Sequence, residues 1–183
     1  MTSPHFSSTE RAILVVLLIV IGLSSRLLPH PPGATALSAI VFISSMFLGT
    51  RTAVAALLFL LVASDTFVGT YELPVMFSVY GSFLLIALIG RWFALHTSSW
   101  SARFLITLTP SLLFFLVTNA TLWFFTPWYP KDMVGLLASY TMGLPFLRNM
   151  VIGDLVYLSA LGGAVLLYAR MRTALSHSTY EHA

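Results

Sequence analysis

No cysteine occurs in the 183 residues. Disulfides, thiolate metal sites and cysteine nucleophiles are therefore excluded. Charge is also scarce: charged residues make up 8% of the chain and hydrophobic residues 58%. Soluble domains carry about 25% charged residues, so the composition is that of an all-α integral membrane protein. HExxH, GxSxG and Walker loops are missing as well. His5, His177 and His182 lie in polar tails, and His30 and His96 fall at opposite ends of the chain's apolar segments. The pattern gives no histidine metal site, and no metal or cofactor is expected. Serines are many, but none has a histidine base at similar depth, and no enzyme is expected. Without nucleotide-binding machinery, active transport would draw on a partner or an ion gradient. The net charge of +3 reads as positive cytoplasmic loops rather than as a nucleic-acid surface. Nothing resembling a linker divides residues 1–183, so a single transmembrane domain is expected.

What is present is a series of apolar runs. A spanning helix needs about 20 apolar residues. The runs predict six spans, at about 11–28, 34–50, 51–70, 75–95, 103–125 and 145–172. The first reads as an uncleaved helix rather than a signal peptide, because Glu10 sits in its lead and no small-x-small cleavage site follows. "PHPPG" (Pro29–Gly33), "LGTR" (Leu48–Arg51), "GTYELP" (Gly69–Pro74) and "TPWYPKD" (Thr126–Asp132) supply the breaks. "MVGLLASYTMG" (Met133–Gly143) is apolar but too short to span. It reads as a short extra helix before the last span, either packed on the surface or lying as a lid over a cavity. Arg11, Arg51, Arg91, Arg103, Arg170 and Arg172 fall on the side of the termini, and Arg26, Lys131 and Arg148 on the other. That bias places both termini in the cytoplasm.

Polar residues inside the spans are the candidate site. Asp65, Asn119 and Asp154 fall one or two turns from the outer ends of their helices, while Arg26 ends the first and Arg148 begins the last. Ionisable groups in a membrane face the bundle or a wet cavity and find partners. Arg148 and Asp154 are separated by about 120° around one helix, so each looks to another helix. Asp65 with Arg148, and Asp154 with Arg26, are the pairings considered, and the sequence does not choose. Either the group is a closed network that fixes packing, or Arg26, Asp65, Asn119, Arg148, Asn149 and Asp154 line a ligand cavity open to the outside. Trp123, Trp128, Tyr129, Tyr71 and Tyr140 fall on the same side, where an interfacial aromatic belt also forms. Ala160 with Ala164, and Ala34 with Ser38, are small-xxx-small pairs that let helices approach.

"LPFLRNMVIGDLVYL" (Leu144–Leu158) resembles the proline-led last helix of many substrate-binding S components of energy-coupling-factor vitamin transporters. "RLLPHPPGATALSAI", "ASDTFVG", "FFLVTNATLWF" and "YPKDMVGLLASY" extend the likeness to a family of small, uncharacterised bacterial six-helix membrane proteins that resemble those subunits. The resemblance implies a protein of the bacterial cytoplasmic (inner) membrane, surrounded by lipid. It also implies a micronutrient or other small solute bound in a pocket open to the outer face, with energising transporter subunits as partners. Many S components carry an Ala-xxx-Ala pattern on helix one, which has no counterpart in "RAILVVLLIVIGLSSR". The expected function is binding and uptake of a small polar solute. The alternative is a non-transporting scaffold or accessory subunit.

Overall fold

The computed structural model describes residues 6–69, 72–96 and 100–181. Tyr71, His5 and His182 lie outside the described residues, as does Thr70 at the expected end of the third span. The described elements are all helical. They are α1 (Ser8–Leu27), α2 (Leu37–Phe47), α3 (Thr50–Val68), α4 (Leu73–His96), α5 (Trp100–Phe125) and α6 (Met133–Glu181).

Helix α1 begins three residues earlier than its apolar run suggests, because a capping box stands before it. The Glu10 amide donates to Ser7 Oγ at 3.3 Å and the Ser7 amide donates to Glu10 Oε2 at 2.6 Å. The helix stops at Leu27, and Leu28 after it has a ψ of 154°, the extended conformation that a following proline imposes.

Helix α2 is the largest departure from the expected topology. It covers 11 residues rather than 34–50. At 1.5 Å per residue that is about 16 Å, roughly half a hydrocarbon core. Residues before it are held in a loop instead. The Ala34 amide bonds Pro31 O at 2.9 Å, and the Ala36 amide bonds Ser25 Oγ at 3.1 Å. The helix "LSAIVFISSMF" is apolar nearly all round, and a helix of that kind belongs inside. Leu37, Ala39, Ile40, Val41, Phe42 and Ile43 are all buried.

Around α2 the other five helices form a ring. Every one of them touches α2, and α1–α3, α3–α4, α4–α5 and α5–α6 are packed neighbours. Among the described residues four segments are long and apolar enough to cross a membrane: Thr50–Val68, Leu73–His96, Leu108–Phe125 and Met133–Tyr168. The outside of the ring is apolar as well, with Phe59, Phe67, Phe77, Trp92 and Leu116 exposed. The start of the described chain meets the later part of α6. Phe6 stacks on Tyr168, ring centroids 6.1 Å apart, and Tyr168 donates to Glu10 at 2.7 Å. We call this the terminal end, and the end where α1, α3 and α5 finish the distal end.

No separate short helix precedes the last span. Met133–Gly143 is the start of α6, which runs on through Pro145. The reason is tertiary. Ser139 donates to Asn119 O at 2.8 Å and Tyr140 to Leu116 O at 2.9 Å, tying this segment along α5. Neighbouring helices and hydroxyls can stand in for the bond that a proline removes. The α5–α6 turn is capped from both sides: Lys131 bonds the Trp123 and Thr126 carbonyls, and Asp132 Oδ1 accepts the Gly135 amide at 2.7 Å. Gly143 allows the close approach, since a Cβ there would meet Phe115 at 2.8 Å and Asn119 Oδ1 at 2.6 Å.

Two substitutions separate this contact from helix propensity. Gly143→Ala should destabilise by about 1–3 kcal/mol through overpacking. Gly81→Ala in α4, where a Cβ meets nothing within 4 Å, should stabilise by about 0.5–1 kcal/mol. Thermal unfolding in one detergent measures both, and the two shifts should have opposite signs.

Candidate functional site

Two polar clusters sit toward the distal end. In the first, Arg26 in the last turn of α1 reaches α3. Its Nη2 lies 2.6 Å from Asp65 Oδ1 and its Nη1 donates to Ser64 Oγ at 2.7 Å. Tyr80 of α4 donates to Asp65 Oδ2 at 2.9 Å. A cation at the C-terminal end of a helix also meets the negative end of its dipole. The pair is nearly enclosed, with side chains 12% and 8% exposed. In the second cluster, Asp154 of α6 accepts hydrogen bonds from Ser38 at the start of α2 and from Ser111 of α5. Asp154 is 1% exposed. Among the described residues it has no ion-pair partner.

Neither pairing considered from the sequence forms: Arg26 takes Asp65, not Asp154. The registers of α1 and α3 bring those two together, and the sequence of each helix alone does not encode the relation between them. Arg148 is exposed and joins neither cluster. Asn119 Nδ2 bonds its own helix at Phe115 O, 2.9 Å away, and its side chain faces Gly143 at the α5–α6 contact. Asn149 Nδ2 reaches over to Pro32 O at 3.0 Å. Of the six expected site residues, Arg26 and Asp65 are joined, Asp154 stands in a separate cluster, and Asn119, Arg148 and Asn149 lie elsewhere.

Between the two clusters is a cavity of about 290 Å³. Arg26 enters it from α1, Ser38 from α2 and Thr35 from the loop. The rest of the wall is apolar, with Val79, Phe83, Phe114 and Met150 prominent. Asp65 and Asp154 do not line the cavity. They stand behind Arg26 and Ser38 and fix their orientation. The loop is drawn onto α6 at Gly33, whose φ of +87° favours glycine. A Cβ there would come within 3.2 Å of the Phe146 carbonyl. Met133–Gly143 does not line the cavity, so it is no lid over it.

Ser38, Ser64, Thr35, Ser111 and Tyr80 are the site residues that sequence reasoning missed. Ser64 beside Asp65 is the one local signal. Serines in membrane helices usually bond their own backbone, as Ser45 does with Phe42 O, and nothing in the sequence marks Ser38 and Ser111 as different.

Removing one member of the Arg26–Asp65 pair should cost about 3–5 kcal/mol, because it leaves an uncompensated buried charge. Arg26→Met combined with Asp65→Leu should recover most of that loss. A double-mutant cycle by thermal unfolding measures the coupling, and additive losses would contradict the pairing.

No group of three or more His, Cys, Asp or Glu among the described residues could hold a metal ion. No curated protein matches the chain, and no solved structure does. The pattern described as "Family of unknown function (DUF6580)" matches residues 6–175. With nearly its whole length covered, the chain belongs to that family.

Proposed function

We propose that this protein is a membrane-embedded binding subunit for a small solute, taken up through the distal cavity. The observation that carries the reading is the entry of Arg26 into a 290 Å³ cavity with an otherwise mainly apolar wall. A guanidinium has five N–H donors, and Arg26 commits Nη1 to Ser64 while Nη2 faces Asp65. Its remaining donors suit a carbonyl, carboxylate or similar acceptor on a ligand. Ligand sites are commonly of this kind, apolar with a few placed polar groups. The apolar wall favours a solute with a hydrophobic body between Val79, Phe83 and Phe114, which narrows the class from a fully polar solute to an amphipathic one.

In this reading the loop from Pro29 to Thr35 and the start of α4 face the outside of a bacterial cytoplasmic membrane, and both termini face the cytoplasm. The likeness to S components of energy-coupling-factor transporters supports a role in micronutrient uptake. The energy for uptake would come from a partner subunit. One observation favours the second reading, a scaffold: both carboxylates already have internal partners, Asp65 in Arg26 and Tyr80, and Asp154 in two serines.

A thermal-shift panel of small amphipathic carboxylates, amides and vitamins on the purified protein separates the two. A ligand at 100 times its Kd should stabilise by about 2.7 kcal/mol. Val79→Trp, which fills the cavity, should abolish that shift with the unliganded melting temperature nearly unchanged. A flat panel with a co-purifying membrane protein would support the scaffold instead.

A further inference from the structure

The ring around α2 has one opening. Among the described residues no Cα atom of α1 lies within 8 Å of one of α6, although every other neighbouring pair around the ring is in contact. In this seam, away from the distal cavity, is a second cavity of about 190 Å³. Leu17 and Ile21 of α1 form one wall, Leu161, Ala164 and Val165 of α6 form the other, and α2 is the floor. On each wall the lining extends over about 10 Å, from Leu14 to Ile21 and from Leu161 to Tyr168. The lining is apolar except for Tyr168 and one hydroxyl. Ser44 is 2% exposed, and its Oγ has no hydrogen-bond partner among the described residues. Its neighbour Ser45 and the similarly buried Ser25 both bond a carbonyl of their own helix. A buried hydroxyl without a partner is costly, so Ser44 points to a ligand with an acceptor.

The geometry points to an anionic phospholipid bound in this seam, with an acyl chain along α2 and an ester carbonyl on Ser44 Oγ. Its phosphate lies at the terminal end. A third helix is too wide. Packed helices stand 8–10 Å apart, whereas Tyr168 and Glu10 still join hands across the seam through a 2.7 Å hydrogen bond. A single hydrocarbon chain fits a gap that two side chains can bridge. The charge at that end is complementary to a phosphate. Arg11 stands one turn before Leu14, Arg51 three residues after Leu48, and Arg170 two after Tyr168; all three are exposed. Glu10, an acid at this end, is held by the Ser7 amide and Tyr168. The site is independent of the distal cavity and of what that cavity binds.

Native mass spectrometry of the full chain, released from detergent containing equal phosphatidylglycerol and phosphatidylcholine, tests the assignment. The wild type should retain one phosphatidylglycerol in preference to phosphatidylcholine. Ala164→Phe, which fills the seam from the α6 wall, should lose it while keeping the wild-type melting temperature in lipid-free detergent. Arg51→Gln, on the surface, should weaken retention of phosphatidylglycerol about fivefold, the effect of roughly 1 kcal/mol per cation near an anionic head group, and leave phosphatidylcholine unaffected. Equal retention of the two lipids, no retained lipid, or undiminished retention by Ala164→Phe would each overturn the proposal. A second copy of the chain or a partner protein held in place of lipid would overturn it too.

Discussion

An apolar helix too short to cross a membrane sits at the centre of this protein, and the other five are arranged by the need to cover it. Helix α2 spans about 16 Å, whereas α3, with 19 residues, spans about 28 Å. Helices longer than the one they surround leave space beyond its ends. At its N-terminal end Leu37 and Ser38 border the distal cavity, and at its C-terminal end Ile43, Ser44 and Leu48 border the seam. The distal cavity lies at the end of the short helix, whereas the seam runs along its side where α1 and α6 do not meet.

The second constraint is polar satisfaction. Away from water, a charge or hydroxyl in the bundle needs a partner inside it. Asp65 and Asp154 meet this in different ways, one through a cation and a phenol, the other through two hydroxyls from different helices. Each cluster ties helices that are distant in the chain: Ser38, Ser111 and Asp154 connect α2, α5 and α6. The carboxylates thereby act as positioning groups. Two of the polar side chains presented to the distal cavity, Arg26 and Ser38, are held by them. A site with buried acids and an apolar wall differs from the open polar basin that the sequence suggested.

The helical class was legible because composition and apolar run length report it directly, and so was the placing of Asp65 and Asp154 inside apolar helices, where both are buried. The boundaries of α1 and α6 were legible in principle. Ser7 and Glu10 form a capping box three residues apart, and Asp132 caps the start of α6. The proline and glycine near residue 145 carried the opposite message, since Pro145 and Gly143 are strong local breakers and the contacts along α5 that outweigh them are not local.

Sequence alone determined that polar groups would gather in an apolar bundle, because burying an unpaired charge is costly wherever it happens. It did not determine which groups meet. Arg26 faces Asp65, Asp154 collects two serines, and Arg148 stays outside, all because of the relative rotation and register of helices that are far apart in the chain. Those quantities are set by how side chains from five helices fit around α2. The same packing decided that residues 34–36 would form a loop and that the ring would stay open between α1 and α6.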